Sequence, residues 1–597
     1  MHNDEYMNKI LGGYMGKNIG GSLGGPVEGA MPPLSLTFYS NLDKLPLPND
    51  DLDLQLLNLH ALEQHGPNLT PDDLAGEWLA HVFFPYDEYG AALMNFRRGV
   101  KPPLSGWFSN PFSDCMGAPI RSEIWAMVAP GQPDIAAHYA YNDAVIDHAG
   151  GEGVYGEVLF AVMESAAFFE SDKDALLDLG LSYIPKESRC YDAISIVRAA
   201  YKDGKSFDEA RDRMLEKHRN NNFTDAPQNI GITILGFLYG SDFEDALLKT
   251  VNCGYDADCT CATLGALLGI LYGREALPEK WVAPVGDVIA VSPEVKGICA
   301  PKTMAELAER TRIAAQKVML EWKRDFTFNG SARADIYVST TEYTYHLPHG
   351  GICDFEVRAD FKAGGPSIAK NGEKAVEFTL INHTDAELPL RMHLDYPDMI
   401  RADQNDIDLK FMPFEEKKRT VVFRHQGNLA HRYDICCRFS RLHDRRVWDT
   451  RSIDFTLVPK LRFLVESNGR CQTMDFDSNR VAPAGLEKAD TYLFKTNMLI
   501  PTDRFVKLNI ATEDPITVTL DGEVCLNLNK RTIYMPAYHR SASGKTLERD
   551  MKAGAHTLEI AVHTKADPYF VAVVSSGIES ADIGAFYGYT DVLFDAE

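Results

Sequence analysis

The first half of the chain carries hydrophobic residues at helical spacing, and one stretch adds a stripe of glycines. Within residues 9–25, glycine stands at positions 12, 16, 20 and 24, and a spacing of four places all four on one face of a helix. Because glycine costs a helix ~1 kcal/mol relative to alanine, the stripe predicts a helix that approaches a neighbour closely. Similar apolar periodicity predicts three further helices, over residues 121–138, 156–170 and 303–324.

The pattern changes after residue 329. Short runs alternate apolar and polar residues, as in AVEFTLI at 375–381 and TVVF at 420–423, and this alternation is typical of strands in a β-sandwich. A second β segment begins near residue 460. It includes a predicted hairpin over 516–524 with Asp521-Gly522 at its turn.

Chain length agrees with several domains, because 597 residues exceed what a single hydrophobic core usually holds. The predicted fold class is an all-α N-terminal domain, residues 1–325, followed by two all-β modules of sandwich or jelly-roll type, residues 326–460 and 461–597. The run GAHTLEI at 554–560 is similar to the closing strands of jelly-roll accessory domains on carbohydrate-active enzymes. The β modules are therefore expected either to bind sugar or to support the helical domain or an oligomer interface.

The net charge of −25 bears on partners. Nucleic acids and anionic membranes bind clustered positive charge, so neither is expected here. The N-terminus lacks a basic stretch followed by an apolar core, and no window approaches the ~18 apolar residues that span a bilayer. The eleven cysteines have no spacing typical of a zinc site or a disulfide framework. The prediction is a cytoplasmic protein with reduced thiols.

Two acidic clusters each precede an apolar run: Asp50, Asp51 and Asp53 open one, and Asp256 and Asp258 open the other. Helix N-capping explains either cluster alone, and this interpretation is slightly favoured for the first. The residues after the second cluster are apolar and rich in Gly and Ala, so its carboxylates are expected near a packed interior, where unpaired charge is costly. A hard divalent cation between the clusters, Mg²⁺ or Ca²⁺, would remove that cost.

Three short segments together resemble the ADP-ribosylglycohydrolase superfamily. IGGSLGGPVE at 19–28 is similar to the family's opening G-D-x-x-G-x-x-x-E. NDDL at 49–52 stands at the place of T-D-D-T, and GYDADC at 254–259 stands at the place of G-x-D-T-D-[TSC]. The resemblance spans residues 8–275 and implies an all-α domain that binds a pair of Mg²⁺ ions.

The region between these segments resembles the larger bacterial members of the family. It contains GAPIRSE at 117–123, VAPG at 128–131 and the pair Asp147-His148. Four motifs in family order are together more specific than any one of them alone.

The chain also departs from the family pattern. Gly21 replaces the usual Asp, Asn49 and Leu52 stand where the family has Thr, and Cys259 stands where many members have Thr. An amide oxygen of Asn49 still offers a metal ligand, whereas Leu52 offers none. The number of ions, one or two, and the choice between Mg²⁺ and Ca²⁺ therefore stay open.

The motifs imply a catalytic arrangement that suits glycosidic cleavage, which needs carboxylates and an activated water. The resemblance implies Glu28 and Asp51 as catalytic residues, with Glu28 acting as base or proton relay. By residue type alone, Glu28 is an ordinary loop carboxylate after Pro26. The implied metal ligands are Asn49, Asp50, Asp51, Asp256, Asp258 and Cys259.

Substrate contacts are predicted mostly around the Gly/Pro/Ser-rich stretch at 102–123, where aromatic rings are suited to stacking on a sugar. Core packing is the alternative for at least one of the tryptophans. His148 matches a family histidine, although a single histidine is more often structural, and Arg121 either faces a phosphate or pairs with Glu123. The predicted substrate-binding residues are Trp107, Asn110, Arg121, Glu123, Trp125, His148 and Tyr255.

The leading functional hypothesis is a metal-dependent hydrolase that cleaves a glycosidic bond at C1 of a ribose-like or other sugar by direct attack of water. The expected partner is a small-molecule, glycan or ADP-ribosyl substrate, with homo-oligomerisation left open. One alternative is an intracellular carbohydrate glycoside hydrolase that reuses this fold. Another is a binding or structural protein with a degraded metal site, which Leu52 supports best.

Overall fold

The structure, a computed structural model, describes residues 1–328, 344–346, 354–362, 364–443, 446–537, 544–576 and 588–596. The chain forms two compact units. One contains Met1–Val82 and Phe112–Thr340, and the other contains Phe83–Pro111 and Thr341–Glu597. The division into domains at residues 325 and 460 stays a prediction.

The first 328 residues are helical, as the periodicity predicts. Helices α1 to α3 and α6 to α16 belong to the first unit, and α4 and α5 to the second. The helices are α1 (Asn3–Gly24), α2 (Asp50–His65), α3 (Pro71–His81), α4 (Asp87–Arg97), α5 (Leu104–Trp107), α6 (Ser122–Val128), α7 (Pro133–His148), α8 (Glu152–Ala167), α9 (Lys173–Leu181), α10 (Arg189–Lys202), α11 (Phe207–His218), α12 (Ala226–Tyr239), α13 (Phe243–Val251), α14 (Ala257–Tyr272), α15 (Glu279–Val285) and α16 (Met304–Glu321).

Three of the predicted helices form with small differences in their ends, and one prediction is wrong. The glycine-striped helix is α1, the helix predicted at 156–170 is α8, and the helix predicted at 303–324 is α16. The single helix predicted over 121–138 is instead two, α6 and α7. Pro130 lacks the N–H that a continuing helix needs, and Gly131 adopts a φ of +72°, so the chain turns between them.

The second unit contains β-strands in several sheets. The strands are β1 (Thr344–His346), β2 (Phe355–Asp360), β3 (Ser367–Ile368), β4 (Glu373–Asn382), β5 (Leu388–Asp395), β6 (Ile400–Ala402), β7 (Asp406–Phe411), β8 (Glu416–His425), β9 (Tyr433–His443), β10 (Arg446–Pro459), β11 (Leu461–Ser467), β12 (Arg470–Phe476), β13 (Arg480–Val481), β14 (Tyr492–Ile500), β15 (Arg504–Ala511), β16 (Ile516–Leu520), β17 (Glu523–Leu528), β18 (Thr546–Met551), β19 (Gly554–Val562), β20 (Phe570–Ser575) and β21 (Leu593–Asp595). The predicted fold class, an all-α region followed by a β-rich region, is confirmed.

Within the described part of the second unit, the strands pair into four sheets, which share two larger hydrophobic cores. Sheets β1-β2-β4-β8-β6 and β3-β10-β9-β5-β7 share one core, which also takes up Val100, Leu104 and Phe108 from the segment around α5. Sheets β12-β11-β14-β19-β16-β17, with β21 beside β14, and β13-β20-β15-β18 share the other. Side chains alternate along the strands, as in β14 and β16, because successive residues point to opposite faces.

The predicted hairpin at 516–524 is confirmed as β16 and β17. Asp521 and Gly522 have φ values of 50° and 84°, which is the conformation of a type I′ turn. Among the described residues, no helix combines the length and the apolar content that crossing a bilayer requires.

Candidate active site

The glycine stripe of α1 packs directly on α14. A Cβ atom added to any of the four glycines would fall 2.0–2.2 Å from a backbone oxygen of α14, so only glycine permits this approach. The contacts run in opposite directions along the two helices, pairing Gly12 with Gly269, Gly16 with Gly265, Gly20 with Cys261, and Gly24 with Ala257. The antiparallel contact brings the end of α1, and Glu28 after it, to the start of α14.

The loop after α1 is held against the loop before α14 by backbone hydrogen bonds. Gly29 N donates to Tyr255 O at 2.8 Å, and Tyr255 N donates to Ala30 O at 2.9 Å. Gly254 and Tyr255 have φ values of 68° and 60°, which turns the chain tightly ahead of α14. The pairing places exposed Glu28 beside buried Asp256 and Asp258.

Asn49 is the N-cap residue of α2 and contacts the same group of carboxylates. Its side-chain oxygen accepts a hydrogen bond from Asp51 N at 2.7 Å, and its Nδ2 lies 3.5 Å from Asp258 Oδ2. The oxygen predicted as a metal ligand therefore caps the helix here. A Cβ on Gly21 would lie 2.9 Å from Asn49 Nδ2, so the absence of a side chain at Gly21 leaves room for the Asn49 amide.

The predicted carboxylates converge in two overlapping groups. Asp51, Asp258 and Cys259 each offer a ligand atom within 4.8 Å of the others, and so do Glu28, Asp256 and Asp258. Both oxygens of Asp51, both oxygens of Asp256, and Oδ1 of Asp258 are buried without a hydrogen-bond partner. Because buried polar atoms are normally paired, this oxygen-rich arrangement fits a hard divalent cation.

Burial and mutual repulsion raise the pKa of each of these carboxylates. Burial raises the pKa of Asp51 well above its usual range against the lowering effect of Lys17, and Asp258 adds to the rise. Burial, then Asp258 and Glu28, raise the pKa of Asp256 well above its usual range. The pKa of Asp258 is raised to about 8 by burial, Glu28 and Asp50. A bound cation would act in the opposite direction and favour the charged forms.

Cys259 and Tyr255 flank this group. Burial, followed by the Asp256 charge, raises the pKa of the Cys259 thiol well above its usual value, and a neutral thiol is a weak ligand for a hard cation. The Tyr255 side chain is buried, and its hydroxyl accepts a hydrogen bond from Arg219 Nε at 3.0 Å. Cys259 therefore lines the site, while the Tyr255 side chain is buried and tied to Arg219.

Lys17 of α1 is a buried cation that the sequence analysis missed. Its Nζ lies 2.8 Å from Glu123 Oε1 and 3.6 Å from Asp51 Oδ1, with only 1% of the residue exposed. Glu123 is fully buried and also accepts a hydrogen bond from Gln55. Glu123, predicted to contact substrate, thus forms an ion pair with Lys17, and Lys17 connects it to Asp51.

Arg121 lies in a separate buried ion-pair network. Its guanidinium contacts Asp143 at 3.0 Å, Asp147 at 2.8 Å and Glu157 at 3.7 Å. His148 Nδ1 lies 2.8 Å from Asp147 Oδ1, and His148 is also fully buried. The pairing of Arg121 with Glu123 that the sequence left open is not the one observed.

The predicted aromatic contacts divide between the two units. Trp125 is fully buried, donates from Nε1 to Asp143 and Glu157 at 3.1 Å each, and stacks on Tyr139. Core packing, the stated alternative, describes its position. Trp107 and Asn110 belong to the second unit, where Trp107 packs on the β core and Asn110 Nδ2 donates to Gly106 O at 2.7 Å.

Comparison with known proteins supports the resemblance. A family model described as ADP-ribosylglycohydrolase matches residues 2–319. An uncharacterized protein of Archaeoglobus fulgidus is 27% identical over 198 residues, which is 33% of this chain and 60% of that protein. The chain thus spans less than two thirds of that relative.

A solved structure titled "ADP-ribosylglycohydrolase-related protein complex" is 22% identical to the chain. The match covers 53% of this chain and 98% of that one, with a TM-score of 0.37.

Proposed function

The chain belongs to the ADP-ribosylglycohydrolase family, and on that premise we propose that its helical region hydrolyses a glycosidic bond at C1 of a ribose-like sugar with the help of a bound divalent cation. The observation that carries the proposal is the set of buried carboxylate oxygens without hydrogen-bond partners on Asp51, Asp256 and Asp258. Asp51 lies at the start of α2, and Asp256 and Asp258 lie at the start of α14. Lys17 offsets part of this buried charge at Asp51, and a divalent cation would offset the rest.

Asp51, Asp256 and Asp258 would hold the cation, with Asp50 and Asn49 beside them at the start of α2. Oxygen ligands favour a hard cation; Mg²⁺ is the ion that the family resemblance implies, and Ca²⁺ is the alternative. When bound, such an ion supplies Lewis acidity and makes a coordinated water more acidic.

Glu28 has a different role because it is exposed beside the buried pair Asp256 and Asp258. An exposed carboxylate beside the buried pair would accept a proton from the attacking water. Asp51 is held at two points: its backbone N–H donates to the Asn49 side chain, and its carboxylate lies near the ammonium of Lys17. We assign Asp51 to orienting the reacting groups and Glu28 to proton transfer.

The experiment compares two substrate classes with and without metal. Purified protein is assayed for ADP-ribose release from ADP-ribosylated protein and for hydrolysis of aryl glycosides, in Mg²⁺, in Ca²⁺ and in excess EDTA. Mg²⁺-dependent ADP-ribose release is expected, and turnover of aryl glycosides alone would favour a carbohydrate glycoside hydrolase. Full activity in EDTA, or in the Asp256→Asn/Asp258→Asn double variant, would contradict the metal-assisted mechanism.

A further inference from the structure

A second cluster of ligand-type side chains lies away from the carboxylates, where α2 meets α3. His60, Glu77 and His81 each offer one ligand atom, and these atoms lie within 4.8 Å of one another. His60 is ten residues along α2 from Asp50, which corresponds to roughly 15 Å of helix. Glu77 and His81 are four residues apart on α3, and this spacing places them on the same helix face. The cluster is therefore distinct from the proposed active site.

One oxygen of Glu77 is the centre of the cluster. Nε2 of His60 and Nε2 of His81 each lie 3.5 Å from Glu77 Oε2. That separation is long for a hydrogen bond, and it matches the roughly 3.4 Å between neighbouring ligands of a tetrahedral ion with bonds of ~2.0–2.1 Å. Only 8% of Glu77 is exposed, and its Oε2 is buried without a hydrogen-bond partner.

The surrounding contacts orient the ligand atoms. His81 Nδ1 lies 2.7 Å from the carbonyl oxygen of Lys296. Because a carbonyl oxygen can only accept, Nδ1 is the donor in this contact, and Nε2 is the ring nitrogen that faces Glu77. His65 Nε2 lies 2.8 Å from Glu77 Oε1 and holds the other oxygen of that carboxylate. Metal-ligating histidines and carboxylates are typically held by hydrogen bonds of this kind.

The backbone around His81 is also fixed. Lys296 N donates to His81 O at 2.9 Å, and Val82 forms a β-bridge with Val295. The loop that orients the imidazole is thus joined to the end of α3 at more than one point. Nε2 of His60, Nε2 of His81 and Oε2 of Glu77 are thus held facing one another.

We propose that His60, Glu77 and His81 bind a zinc ion that links α2 to α3. Two imidazole nitrogens and one carboxylate oxygen are typical ligands of zinc and unusual ones for Mg²⁺. The three side chains are 15%, 11% and 18% exposed, so an ion can enter from solvent and keep a water as its fourth ligand. His65 is a positioning residue that acts through Glu77.

The test separates this site from the carboxylates of the proposed active site. Full-length metal-free protein is titrated with zinc alone by calorimetry, as wild type and as the Asp256→Asn/Asp258→Asn variant. The His81→Gln and His60→Gln changes are then added to that variant, with exposed His431→Gln as the matched control. Circular dichroism checks that each protein is folded.

One zinc ion per chain is expected to remain bound in the double Asn variant and in the His431 control. His65→Gln is expected to weaken binding ~10–100-fold, as loss of an outer-shell partner does, and His60→Gln or His81→Gln to weaken it further. Unchanged zinc affinity in folded His60→Gln and His81→Gln proteins would overturn the proposal.

X-ray absorption on the zinc-loaded double Asn variant supplies a second measurement that needs no histidine substitution. Outer-shell scattering from two imidazole rings per zinc is expected. A spectrum with oxygen or sulfur ligands and no imidazole would overturn the proposal even if every histidine variant failed to fold. Neither outcome depends on glycosidic activity, so the proposal can fail while the proposed function stands, and the reverse.

Discussion

Gly16 and Gly265 meet backbone to backbone across the contact between α1 and α14. A Cβ on Gly16 would fall 2.0 Å from Gly265 O, and a Cβ on Gly265 would fall 2.1 Å from Gly16 O. Each residue therefore excludes any side chain on the other. This contact sets the position of Glu28, which follows α1, relative to Asp256, which precedes α14.

Gly16→Ala is expected to destabilise the helical unit by about 3 kcal/mol, the upper end of ordinary overpacking, because the clash is with backbone that cannot move aside. Gly76→Ala is the control, since Gly76 is exposed within α3 and a Cβ there meets nothing within 4 Å. The control should stabilise the protein by up to ~1 kcal/mol through helix propensity. Urea unfolding followed by circular dichroism measures both, and equal effects of the two changes would contradict the close contact.

Glu28→Gln is expected to lower kcat at least ~100-fold, the usual contribution of a general base, while leaving stability unchanged because Glu28 is exposed. The matched control is Glu5→Gln, an exposed glutamate near the start of α1, which should retain full turnover. Steady-state kinetics on the substrate identified by the two-class assay measures both. Wild-type kcat in Glu28→Gln would remove this residue from proton transfer.

Removing the cation should lower the stability of the protein, because the buried carboxylates then lose their counter-charge. At a Mg²⁺ concentration 100 times its Kd, the free energy of unfolding of the wild-type protein is expected to be ~2.7 kcal/mol higher than in EDTA. Asp256→Asn should be more stable than wild type in EDTA, because a neutral amide replaces a buried carboxylate that lies beside Asp258 and Glu28 and whose two oxygens have no hydrogen-bond partner. It should also lose the gain from Mg²⁺. Thermal melts in EDTA and in Mg²⁺ check both effects, and an equal Mg²⁺ shift in wild type and variant would count against the site.

Lys17→Met should destabilise the protein by about 3–5 kcal/mol, the cost of leaving a buried ion pair without one partner. The reason is that Lys17 Nζ contacts both Glu123 and Asp51 in the interior. Exposed Lys302→Met is the control and should change stability little. Urea unfolding compares them, and a Lys17→Met protein as stable as wild type would show that Glu123 and Asp51 do not need this charge.

Periodicity in the sequence was enough to predict the fold class and the close approach of α1 to another helix. It could not identify α14 as the partner, because that pairing depends on tertiary packing. Lys17 escaped prediction because lysine is almost always exposed, and only its place in the glycine-rich helix hinted otherwise. The break between α6 and α7 was missed although Pro130-Gly131 signals it.

Motifs in the sequence predicted which acidic residues form the candidate site. They did not predict side-chain positions that depend on tertiary packing. The acidic residues at both helix starts come together as the motif order implied. Arg121 and Trp125, in contrast, are oriented by Asp143 and Glu157, which carry no motif. The cluster of His60, Glu77 and His81 had a weak signal, glutamate and histidine four apart on one helix, and needed α2 to complete it.

Asp147 should make stability depend on acid pH. Burial alone would raise the pKa of Asp147, but Arg121 and His148 lower it to about 2, below the ~3.9 of an unfolded aspartate. A carboxylate whose pKa is depressed by folding stabilises the protein fully above the unfolded value, and that contribution falls away as pH drops through the folded one. The shift corresponds to about 2–3 kcal/mol.

Asp147→Asn is therefore expected to be less stable than wild type by about 3 kcal/mol at pH 7. The difference should shrink between about pH 4 and pH 2, where wild-type Asp147 becomes protonated and loses its advantage. Exposed Asp287→Asn is the control and should follow wild type at every pH. Urea unfolding at several pH values gives the difference directly, and a gap that stays constant down to pH 2, or widens, would show that the Asp147 charge does not supply this stability.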